Sequence, residues 1–248
     1  METTPSSNHT SLSKSSIIIT AIALIGFGYM IARFTPTNQT ADTLTTTGGK
    51  AAVGTTQETK TQPTIVFNPI TEKDHIKGNP ETAEVTIIEY SDLECPYCKI
   101  FHNTLTTVVD SYNGKVAWVY RHFPIDSLHP KARKQAEATE CAYEQGGNEA
   151  FWKYTDKVFA LTPSNNGLAM ELLSYIAEKN GLDVKKFDEC LASGRYAGKI
   201  QAMIDDGNRA GVAGTPHSIL VAKNGKVVPL SGSYNAEQLT AQIDIIMK

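Results

Sequence analysis

The sequence predicts an α/β fold: a βαβ unit, then an inserted helical subdomain of about five helices, then a ββα unit. Three observations carry that prediction. Two short, β-branched, mostly apolar runs, Val85–Tyr90 and Lys115–Tyr120, flank one stretch of helical periodicity within about 35 residues. Between residues 128 and 211 only helical patterns occur, each closed by a glycine or proline. After that, Asn224-Gly225 joins two apolar runs and a stretch with one apolar helical face follows.

Three segments follow from composition: 1–34, 35–80 and 81–248. In the first, Ile17–Ala32 reads IIITAIALIGFGYMIA, uncharged, with Lys14 before it and Arg33 after it. With its flanks it approaches the roughly 20 apolar residues that cross a bilayer, a length that also suits the apolar part of a signal peptide. No small-x-small cleavage site follows it directly, which favours a retained membrane anchor over a cleaved signal or a buried helix. Residues 35–80 are rich in Thr, Gln, Gly and Ala without an apolar period, the composition of a flexible linker. The formal net charge of −3 and the lack of a long Lys/Arg run argue against a nucleic-acid partner.

The folded region, 81–248, begins after turns around Gly78 and Pro80. Val85–Tyr90 is a central strand. Ile100, Phe101, Leu105, Val108 and Val109 then recur at helical spacing until Asn113-Gly114, and Lys115–Tyr120 is a second strand, parallel to the first. The insertion, at about 128–211, carries helices over His129–Gln145, Glu149–Leu161, Leu168–Lys179, Asp183–Ala192 and Tyr196–Ala210. His217–Ala222 and Val227-Val228 form an antiparallel hairpin through a type I′ turn at Asn224-Gly225. Ala236–Met247 closes the fold, with Leu239, Ile243 and Ile246 on one face. Trp118, Trp152, Phe151, Phe159 and Phe187 are candidates for the core.

The chemistry concentrates at Cys95-Pro96-Tyr97-Cys98, where the first strand gives way to a helix. Free N–H groups and partial positive charge at a helix start stabilise a thiolate on Cys95. Cys98, one turn on, is placed to form a disulfide with it and to resolve a mixed disulfide with a substrate. A cysteine pair that works as a disulfide belongs outside the reducing cytosol, which places the domain on the extracytoplasmic side of the anchor. With that pair closed on itself, the remaining cysteines, Cys141 and Cys190, have one bond left to make, closing about 50 residues; separate buried thiols or a redox relay are the alternatives. Neither pattern suits zinc, since Cys141 and Cys190 lack ligand spacing. His75, His102, His122, His129 and His217 show no metal motif either and read as surface or packing residues. His102, one turn beyond Cys98, is the one placed to modulate a thiol.

Glu89–Cys98, the His129-Pro130 opening of the insertion and Gly211–Pro216 together resemble the DsbA-like thiol-disulfide oxidoreductases of bacterial envelopes, a thioredoxin fold with a helical insertion. The resemblance covers roughly residues 80–248. It implies that Pro216 follows a cis peptide bond opposite the cysteines, with the Thr215 backbone free to pair with an extended substrate. It implies that Glu89 is a buried acid that takes the proton of Cys98. It further implies reduced or unfolded exported proteins as substrates and a quinone-linked membrane protein as redox partner; the sequence itself calls for no metal or organic cofactor. Pro96 and Tyr97 set the redox poise, and the family's best-known oxidant has His in place of Tyr97. The direction of electron flow is therefore open: a disulfide donor is expected, with a reductase or isomerase, or a binding module without catalysis, as rivals.

Overall fold

The computed structural model describes residues 65–248. The expected anchor or signal segment, and the linker up to residue 64, lie outside them. Among the described residues no helix is long and apolar enough to cross a membrane.

Five strands form one mixed sheet: β1 (His75–Lys77), β2 (Val85–Ser91), β3 (Val116–His122), β4 (His217–Ala222) and β5 (Val227–Ser231), in the order β1-β3-β2-β4-β5. β2 and β3 run parallel, and every other pair is antiparallel. All seven residues of β2 and all seven of β3 are buried, as continuous apolar runs covered on both faces require. β1 corrects one expectation, because it lies inside the segment read as linker and turns. Three residues are too few to show a period, and their pairing with β3 is a tertiary event.

The helices are α1 (Pro96–Ser111), α2 (Ala132–Leu161), α3 (Leu172–Lys179), α4 (Val184–Ser193), α5 (Ala197–Arg209) and α6 (Ala236–Met247). α1 enters through Pro96, a residue whose fixed φ suits a first helical turn. Its buried stripe is Cys98, Phe101, His102, Leu105, Val108 and Val109; Ile100 points outward and is 57% exposed. The two helices expected to meet at Gly146-Gly147 are the two arms of α2, which breaks where Gly147 takes φ 63°. The hairpin also differs. Only Gly225 has positive φ, so the turn is a three-residue loop with a left-handed glycine rather than type I′. Asn224 instead accepts Lys226 N–H at 3.0 Å and donates to Ile246 O at 3.1 Å, which ties the turn to α6.

The main core, on one side of the sheet, holds Trp118, Tyr120, Phe101, Phe151, Trp152, Phe159 and Phe187. A smaller cluster around Ile88, Tyr90, Val119 and Phe123 packs on the other side, towards α5. Cys141 in α2 and Cys190 in α4 are bonded, with Cα atoms 5.8 Å apart, so the insertion carries a covalent tie across 49 residues.

Candidate active site

β2 delivers the chain to the site and α1 carries it away. Cys95 is the N-cap of α1, with φ −76° and ψ 123°, the extended conformation that exposes the first-turn N–H groups to its sulfur. Both thiols are free; Cys95 is 5% exposed and Cys98 fully buried. The Thr215-Pro216 peptide is cis, and Cys95 Sγ donates to Thr215 O at 3.4 Å. Residues 120 apart in sequence thus meet. Beside them, a cleft of about 250 Å³ is lined by residues 213–217, Ser231 and Gly232. Tyr97 and Ile100, 62% and 57% exposed, put apolar surface beside the cysteines.

The two sulfurs differ electrostatically. The Cys98 thiol, acting against the effect of burial and joined by the N–H groups of Cys98 and Tyr97 and by Thr215, lowers Cys95 to about 6. Burial pushes Cys98 well above the ordinary thiol range, and the adjoining Cys95 sulfur adds to the rise. Such a pair holds one ready thiolate and one protonated thiol.

Glu89 lies on β2 with no exposure, not at a solvent-facing strand end. Trp118 Nε1 donates to its Oε2 at 3.0 Å, and its Oε1 has no protein partner. Burial raises its carboxyl to about 8, with the Cys95 charge adding to the effect. A carboxyl near neutrality, whose charge acts on Cys98, is suited to exchange a proton with it.

All five histidines singled out from the sequence are buried. His102 stacks edge-on against Trp118 at 5.1 Å between ring centres, and its Nε2 pairs with Asp156 at 2.6 Å. Burial lowers it, so it is a neutral neighbour of the Glu89–Trp118 pair. His129, whose His-Pro opening of the insertion was part of the resemblance, pairs through Nδ1 with Asp92 Oδ2 at 2.9 Å, a contact that residue spacing does not show. His75, His122 and Glu140 converge from β1, β3 and α2, with ligand-type atoms within 4.8 Å of one another. A cation is already there: Lys199 Nζ lies 2.6 Å from Glu140 Oε2 and 3.3 Å from His75 Nε2. That ammonium satisfies the buried carboxylate and repels a metal ion.

A pair of thiols tuned apart in this way, electrically coupled to a buried acid and meeting a cis-proline turn, is suited to disulfide exchange. Fold and site together define a protein thiol-disulfide oxidoreductase. The family model described as Thioredoxin matches residues 70–245, and the chain belongs to that family. Among solved structures, DsbA2 of Pseudomonas aeruginosa is similar at 32% identity and TM-score 0.59, over 70% of this chain and 94% of that one. BdbD of Bacillus subtilis, in its oxidised form, shares the fold at 19% identity and TM-score 0.60, over 74% and 98% of the two chains. Among curated proteins, the Na(+)/H(+) antiporter NhaA 3 of Salinispora tropica is 38% identical over 176 residues, which are 69% of this chain and 24% of that protein. The chain therefore spans about a quarter of the length of that relative.

Proposed function

We propose that the chain is an extracytoplasmic, membrane-anchored oxidase that donates the Cys95–Cys98 disulfide to reduced cysteines of exported proteins. The observation that carries this reading is the placement of Cys95 at the start of α1, its sulfur facing the first-turn N–H groups and the carbonyl of the cis Thr215-Pro216 peptide while Cys98 is fully buried, an arrangement that lowers the Cys95 thiol and raises that of Cys98. A stabilised Cys95 thiolate is a good leaving group and makes the disulfide the more oxidising state. The apolar Ile17–Ala32 span and the need for an oxidising compartment support the location.

In the oxidising half-reaction a substrate thiolate attacks Cys95 Sγ, the Cys95–Cys98 bond breaks, and the electron pair leaves on Cys98. Glu89 carboxylic acid gives its proton to that buried thiolate. A second substrate thiolate then attacks the substrate sulfur, a substrate disulfide forms, and Cys95 leaves as thiolate. Pro216 and the Thr215 backbone align the substrate as an added strand beside Cys95, with Pro96 and Tyr97 shaping the rim. Two electrons now rest on the enzyme, and a quinone-linked membrane protein removes them. The Cys141–Cys190 bond has a structural role.

Cys98→Ser in the native envelope tests the reading. The variant accumulates mixed disulfides on Cys95 with exported proteins that contain cysteines; absence of any adduct overturns the proposal. Equilibration of the wild-type pair with glutathione gives the direction, and a potential near that of strongly reducing thioredoxins would establish a reductase instead.

A further inference from the structure

Asp92 touches both cysteines. Its N–H lies 3.4 Å from Cys98 Sγ and its carbonyl accepts the Cys95 N–H at 3.1 Å. Its carboxylate is buried at 1% exposure. Oδ1 accepts Glu94 N–H at 2.8 Å; Oδ2 accepts Ile125 N–H at 2.8 Å and His129 Nδ1–H at 2.9 Å. His129, brought by the opening of the insertion, is thus bonded to the residue that holds both sulfurs, with its side chain only 8% exposed.

A second device holds that imidazole in place. Ser164, Asn165 and Asn166 take successive positive φ values of 66°, 52° and 65°. Non-glycine residues keep that conformation where surrounding contacts enforce it. Here Asn166 Nδ2 donates to Leu128 O at 2.9 Å, and Lys131 Nζ donates to Asn166 O at 2.7 Å and Leu168 O at 3.1 Å. The loop therefore clamps the chain on both sides of His129. Asn165 N–H also donates to Glu94 O at 2.8 Å, one residue before Cys95.

We propose that His129 is a positioning residue for disulfide exchange: an imidazolium, held by Asp92 and the 162–167 loop, that stabilises the Cys95 thiolate. The proposal rests on Cys95 being the attacking and leaving sulfur. Cys-Pro-Tyr-Cys supplies no positive charge, and the nearby Lys99 spends its ammonium on Thr162 O at 2.6 Å. Without a cation at position 129, the buried Asp92 carboxylate would stand unneutralised against the forming thiolate. Burial opposes charge on His129, but Asp92 and then the Cys95 sulfur outweigh it and raise the imidazole above its ordinary range. The other charged groups about the site are engaged elsewhere: Glu94 with Gln135, Lys131 with the two carbonyls, Glu89 with Trp118.

Two measurements on the full chain test this. In the first, the reduced protein is titrated by ultraviolet thiolate absorbance and by the alkylation rate of Cys95. His129→Gln raises the Cys95 midpoint by about one unit, roughly tenfold less thiolate on the acid side. An unchanged midpoint overturns the proposal. In the second, the wild-type His129 ring is titrated by NMR in both redox states. Coupling is reciprocal, so His129 titrates higher in the reduced form, where it faces the Cys95 thiolate, than in the oxidised form. Equal values in the two states overturn the proposal, whether or not the variant folds. If wild-type Cys95 titrates as an ordinary thiol, the functional reading itself falls, and the proposal with it.

Discussion

Glu89 would serve the proposed proton transfer at the expense of stability. Its folded value of about 8 stands above the ordinary 4.5, because burial penalises the carboxylate. Between those values the folded state retains a proton that the unfolded chain has lost, so this group makes stability fall as pH rises through that window. Glu89→Gln removes the effect. Urea unfolding is therefore expected to show little difference between variant and wild type at pH 4 and a growing advantage for the variant towards pH 8. Activity moves the other way: loss of the proton carrier slows the step that breaks or forms the Cys98 bond by about 10²-fold, read by stopped-flow tryptophan fluorescence. The sequence indicated an acid six residues before Cys95. That it is buried, bonded to Trp118 and electrically coupled to Cys98 depends on β3 and α1 packing against β2.

Helices of the insertion are held by devices of quite different origin. The Cys141–Cys190 bond joins α2 to α4 across 49 residues. Replacing both cysteines by alanine is expected to lower the unfolding free energy by roughly 2–4 kcal/mol while the alkylation rate of Cys95 stays at the wild-type value. α5 depends on close approach instead. A Cβ on Gly207 would lie 2.6 Å and 2.7 Å from ring carbons of Phe123 and 3.0 Å from Tyr90. Tyr90 cannot retreat, since its hydroxyl is bonded to Asp206 at 2.6 Å. Gly207→Ala is accordingly expected to cost about 1–3 kcal/mol, measured as a lower midpoint in denaturant. The helical periods and breakers were legible in the chain; Gly207, an interior glycine in an otherwise helical pattern, carries its reason only in the facing ring.

Across the whole described region, one buried guanidinium joins parts of the chain that are far apart. Arg121 on β3 donates to Asp74 Oδ1 at 2.9 Å and Asp206 Oδ2 at 2.7 Å, and to the carbonyls of Asn68 and Pro69 at 3.2 Å and 3.4 Å. Asp206 also receives Tyr90 and the Asn68 N–H, at 2.6 Å and 2.7 Å. The N-terminal approach, the sheet and α5 thus share one ionic centre. Removing one partner of such a centre leaves buried charge unmatched. Asp206→Ala is expected to destabilise by roughly 3–5 kcal/mol and to loosen residues 68–74, seen as faster amide exchange there. None of these residues advertises its partners: Arg121 is the next-to-last residue of β3, and Asp74 lies in a stretch that composition assigns to the linker.

The four longer strands, the helices, their breakers and the helix-start position of Cys-Pro-Tyr-Cys were readable from the chain, because each rests on neighbours within a few residues: side-chain period, glycine and proline geometry, the helix start. The Gly-Thr-Pro and the acid before the cysteines became meaningful through resemblance. The helix start already marked Cys95 as the thiolate; what the packed structure alone decided is the burial that raises Cys98 and the company both sulfurs keep. Cys95 meets Thr215 across 120 residues and Asp92 meets His129 across 37. Burial and charge act through space, and proton affinity follows them rather than the order of residues.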